Sequence, residues 1–139
     1  MKINYVENKN GKLFSFHVHD YKDNQDEDEN YIMIDGGFEY VRYSGELKQG
    51  EIKDLMPEIR EQLIWRQNYN EKNERLPETI YKPLKDLTTS HISGIIRYIL
   101  EKSIWNEEEE YFIQSRQIMA YLLIFTYELE NRLNNGKEI

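Results

Sequence analysis

The chain has 139 residues and carries 18 basic against 26 acidic side chains, a formal net charge of −8. It has no cysteine, which excludes disulfides and thiolate zinc sites. The acidic balance argues against direct nucleic-acid binding, because contact with phosphate requires a basic face. The length suits one domain over residues 1–139, and the apolar run Met119–Phe125 is too short to span a bilayer.

Residues 2–21 read as a β-hairpin. Asn10-Gly11 is a two-residue turn signal, and Phe14, Phe16 and Val18 alternate with Ser15, His17 and His19 after it. The run from Asp20 to Asn30 holds no apolar residue except Tyr21 and reads as a solvated acidic loop. A second hairpin runs from Tyr31–Ile34 through Asp35-Gly36-Gly37 to a strand over Phe38–Ser44. These four strands are expected to form one antiparallel sheet. From Glu51 the apolar spacing turns helical at Ile52, Leu55, Ile59 and Leu63, with Pro57 predicting a break or a late start. Ile64–Gln67 and Thr79–Lys82 then flank polar residues 68–78, a loop or a long hairpin.

Thr88 is placed to cap a helix over residues 89–103, with Leu87 and Ile92 at the two ends of a hydrophobic staple. Ile92, Ile95, Ile96, Ile99 and Leu100 form its buried stripe. Asn106 and Glu109 make a capping box for the last and longest helix. There Phe112, Met119, Leu122, Leu123, Thr126, Leu129 and Leu133 keep a heptad-like spacing, while Ile113, Ala120, Ile124 and Tyr127 add a second stripe. A helix apolar on two sides packs on two things, so a homo-oligomer through this helix is expected. The fold class is α+β: an antiparallel β-sheet in the N-terminal half packed by two C-terminal helices.

Five segments taken in order resemble a group of small, functionally unassigned proteins encoded by tailed bacteriophages. They are His19-Asp20-Tyr21, Asp35-Gly36-Gly37-x-x-Tyr40-x-Arg42, the surroundings of Trp65, Pro83 to Ile99, and Tyr127-Glu128-Leu129-Glu130-x-Arg132. Members of that group often carry Cys-x-x-Cys pairs before the Asp-Gly-Gly turn. This chain has Asp26 to Asn30 there, so no zinc is carried over. The resemblance implies a phage accessory protein acting in the bacterial cytoplasm. The layout also resembles the Thoeris anti-defence sponges, which sequester cyclic nucleotide signals of host immunity.

Arginine suits bidentate phosphate binding, and an acidic protein that takes an anionic ligand needs a local basic pocket. The candidate ligand-binding residues are therefore Arg42, Arg97 and Arg132, with Tyr40, Tyr43 or Tyr98 stacking on a base and His91 near the free N–H groups of a helix start. Surface pairing with Glu101, Glu128 or Glu130 explains the helical arginines equally well, and Asp35-Gly36-Gly37 is mainly a turn, its functional reading being a close-approach loop near Arg42. His17 and His19 share a strand face near Asp20, Asp23 and Asp26, an incomplete ligand set for a metal-dependent hydrolase.

Two functions follow as expectations. The first is a non-catalytic, cofactor-free protein that inhibits host defence by binding a small cyclic nucleotide signal. The alternative is an acidic, nucleic-acid-mimicking inhibitor that covers the basic groove of a host defence protein through Asp20–Glu29 or Glu107–Glu110.

Overall fold

The computed structural model describes residues 1–70, 72, 74–101 and 116–136. The class is α+β, but the strands divide among three antiparallel sheets rather than one. β1 (Lys2–Asn8) lies between β2 (Gly11–Leu13) and β6 (Lys48–Glu51). β4 (Tyr31–Asp35) lies between β3 (Lys22–Gln25) and β5 (Arg42–Ser44). β7 (Ile64–Tyr69) and β8 (Arg75–Pro83) form a ribbon of their own.

The strand expected over Phe14 to His19 is absent because side chains take over its backbone partners. The Phe14 N–H donates to Gln62 at 3.3 Å, the Phe16 N–H to Asp20 at 2.8 Å, and Lys22 Nζ donates to the Phe14 carbonyl at 2.6 Å. Ser15 is buried along with both phenylalanines, so the in-and-out alternation of a strand does not hold there. The acidic run is no loose loop either. Lys22–Gln25 pairs with β4, and Asp26, 6% exposed, accepts from the N–H groups of Lys9, Asp28 and Asn30. In the second hairpin residues 36–41 turn before β5 begins, and Gly36 and Gly37 hold φ of 89° and 71°. A Cβ on Gly36 would collide with the Tyr40 carbonyl oxygen, so only glycine fits.

α1 (Ile52–Gln62) runs through Pro57 without a break. The hydrogen bond that proline forfeits belongs to the carbonyl of Lys53, and both residues are exposed, so the freed carbonyl is not buried without a partner. α2 (Thr89–Ile99) starts as the sequence predicts: Thr88 Oγ1 accepts the His91 N–H at 3.1 Å, and Leu87 and Ile92 are buried. α3 (Arg116–Asn134) is the long last helix. Asn106, Glu109 and the acidic Glu107–Glu110 run lie outside the described residues. Among the described residues no helix is long and apolar enough to cross a membrane.

One core joins Ile3, Phe14 and Phe16 to the inner faces of the three helices, and a smaller one holds Val6, Ile32 and Ile34. A continuous file of rings threads the larger core from Tyr5 through Phe14, Phe16, Phe38 and Tyr121 to Phe125 and Trp65. Its last contact, Trp65 edge-on to Phe125 at 5.8 Å, anchors the ribbon to α3.

Candidate functional site

A two-stranded ribbon is marginal alone and needs something to lie against. The base of this one is tied down twice: by Trp65, and by the Leu84 N–H donating to the Leu63 carbonyl at 2.9 Å. The chain then passes through a single 3-10 turn, Leu84–Asp86, into α2. Ribbon and helix thus lie side by side with a groove between them. It consists of two adjoining depressions of about 520 and 500 Å³ that share Gln67, Tyr69, His91 and Gly94.

Of the chain's 139 residues 26 are acidic, yet among the described residues no carboxylate lines either depression. Lys82 lines the first depression and Arg66 the second, and neither forms an ion pair among the described residues. Tyr69 and Tyr98, 49% and 59% exposed, offer flat apolar faces from the two walls. Asn68, Asn70, Thr88 and Ser90 add hydrogen-bonding groups. Gly94 sits in the helix interior, where glycine costs about 1 kcal/mol relative to alanine. A Cβ there would meet nothing within 4 Å, so no neighbour within the chain requires the glycine.

Of the expected ligand residues, the structure brings His91 and Tyr98 together in this groove and leaves the others outside it. Arg42 is 74% exposed and closes an ion pair with Asp35 of its own hairpin. Tyr40 and Tyr43 stand exposed on that hairpin, at 70% and 48%. Arg97 is on α2 and lines neither depression.

Arg132 lies outside the groove, at the edge of a different depression that it lines with Arg60, Glu61, Glu128 and Asn131. It is 5% exposed and donates to Glu128 at 2.8 Å, Thr89 Oγ1 at 3.2 Å, and the Leu84 and Lys85 carbonyls at 3.2 and 3.4 Å. Those acceptors sit where the ribbon ends and α2 begins, so Arg132 fixes one end of the groove without facing it. Glu128 is held from its other side by Arg60, at 2.9 and 3.0 Å. Burial alone would raise the Glu128 carboxyl, but the two guanidinium groups outweigh it and hold it below the usual carboxylate range.

His17 and His19 are exposed, and among the described residues no three His, Cys, Asp or Glu side chains are placed to hold a metal ion. His17 instead lines a neighbouring depression with Tyr81 and Tyr121, which shares Trp65 and Arg66 with the groove. Compared with family models, curated proteins and solved structures, the chain finds no match.

Arg66, Tyr69 and Lys82 were not among the residues singled out from the sequence. A signal for them exists: Leu63–Asn70, Thr79–Lys85 and Leu87–Leu100 contain no Asp or Glu.

Proposed function

We propose that the groove between α2 and the ribbon binds a small anionic ligand carrying a flat ring, of the nucleotide class, and that the protein sequesters it without turnover. The observation that carries this reading is the carboxylate-free lining with two cations, unpaired among the described residues, in a chain of net charge −8. Arg66 and Lys82 would meet phosphate oxygens, the first as a planar fork and the second as a point charge. Tyr69 and Tyr98 would take the ring, with Gly94 allowing it close to the helix backbone. A phage accessory protein that removes a host immune signal in the cytoplasm is the setting that the family resemblance supplies, and self-association through the last helix suits such a sponge.

A specific test is chemical-shift mapping of labelled protein against cyclic dinucleotides and cyclic ADP-ribose. Shifts are expected at the amides of Gln67, His91 and Gly94. Shifts confined to the hairpin of Tyr40, Arg42 and Tyr43 would move the site and defeat this assignment.

A second reading has one observation in its favour. Glu27, Asp28 and Glu29 stand exposed on a turn whose backbone is pinned by Asp26, with Glu29 held at a φ of 64°. A rigid acidic knuckle is what an inhibitor of a basic host protein would present. It predicts association that weakens steeply with salt and is lost when Glu27, Asp28 and Glu29 are neutralised together.

A further inference from the structure

We infer that the outer face of α3 pairs with the same face of a second copy, the two helices antiparallel. Buried residues Ala120, Ile124, Phe125, Glu128 and Arg132 mark the inner face of α3. Away from that face Met119, Leu122, Thr126, Leu129 and Leu133 follow one another at alternating intervals of three and four; Leu122 and Leu129 are half-buried with one edge on their own core, while Met119, Thr126 and Leu133 are exposed. That spacing is the 3.5-residue repeat by which one helix seats its side chains between those of another. Met119 is 47% exposed and Leu133 is 81% exposed. An apolar seam of this kind fits a helix with the same repeat, and a second copy presents one.

Charge on the flank of the seam sets the direction. Arg116, Leu123 and Glu130 occupy the position beside the seam in successive heptads. With two antiparallel helices crossing at Ile124, Met119 lies against Leu129 of the second copy, and Leu122 against its Thr126. The flanking positions then bring Arg116 to Glu130 of the second copy twice, once at each end, with the two Leu123 side chains meeting between them. The Arg116 guanidinium is exposed and donates within its own chain to the Lys2 carbonyl, at 3.3 Å. Moving the crossing point by one heptad, which slides one helix past the other by two, would bring the two Glu130 carboxylates together, which disfavours that register. The dimer does not depend on the groove's ligand, so either proposal can fail alone.

The test is light scattering and sedimentation of the full chain, with cysteines introduced into a protein that has none. A dimer is expected at tens of micromolar, and Leu133→Glu, at a largely solvated site, should weaken it about tenfold or more. Arg116→Glu and Glu130→Arg should each weaken it, and the double exchange should restore it. Oxidised Leu123→Cys should link two copies while Leu133→Cys does not. A monomer throughout that concentration range, or cross-linking at 133 in place of 123, would overturn the proposal, and circular dichroism would confirm that each variant is folded.

Discussion

At the scale of single residues, Gly94 and Arg132 separate binding from folding. Gly94 carries an entropic cost with no steric demand inside the chain to explain it. Gly94→Ala is expected to raise stability by about 1 kcal/mol in thermal unfolding. Gly94→Leu should leave the fold intact and weaken nucleotide binding about tenfold or more by filling the groove floor. Unchanged affinity in the leucine variant would mean that nothing lies against that face. Arg132 behaves in the opposite way, since its donors all serve groups at the junction of ribbon, α2 and α3. Glu128→Ala strands Arg132 without its carboxylate and should cost about 3 kcal/mol, whereas Glu128→Leu combined with Arg132→Met should cost little. The carboxyl of Glu128 is depressed in the folded chain, so its contribution is complete above the ordinary carboxylate range and is lost as pH falls through the folded value. Acid titration of the two proteins checks this: the doubly apolar variant should lose stability less steeply below pH 4.5 than the parent. The chemistry of Arg132 was legible in its sequence, but its burial was not, because three of its four acceptor residues lie more than 40 positions away.

At the scale of elements, the helices were legible and the strands were only partly so. A helix records its buried face at short range, and Ile52, Leu55 and Ile59 do so plainly enough that even Pro57 does not interrupt α1. A strand at a sheet edge depends on backbone pairing and needs no apolar side chain. Lys22–Gln25 is strictly polar, and it is ordered by its ladder with β4 and by the Asp26 turn. Phe14 and Phe16 misled in the reverse sense: their alternation reflects burial against the core, while Asp20, Lys22 and Gln62 satisfy their backbone. The ribbon was visible as two flanking apolar patches, but its position against α2, and with it the groove, is tertiary information. Ile64, Tyr69, Ile80 and Tyr81 leave the ribbon exposed, between 39% and 64%. Its amides should therefore exchange with solvent faster than those of α1 and α3. Addition of a nucleotide ligand should slow exchange at Gln67 to Tyr69 and in the first turns of α2. Protection that appears only in β3–β5 would place the ligand elsewhere.

At the scale of the whole molecule, charge is distributed unevenly. The acidic excess covers the surface at large, while among the described residues the groove between the ribbon and the start of α2 carries none of it. Such an arrangement repels polyanions over most of the surface and leaves a basic, aromatic recess open to a small one. Arg42, Arg97 and Arg132 do not form that recess, and Arg66, Lys82, His91 and Tyr98 do. The most direct measurement is calorimetric titration of the full chain with a panel of cyclic nucleotides and ADP-ribose derivatives, repeated with Arg66→Ala/Lys82→Ala and with Arg42→Ala. Binding of at least one member with micromolar or tighter affinity is expected, lost in the groove variant and retained in the Arg42 variant. No heat with any ligand, or binding that survives loss of both groove cations, would contradict the account.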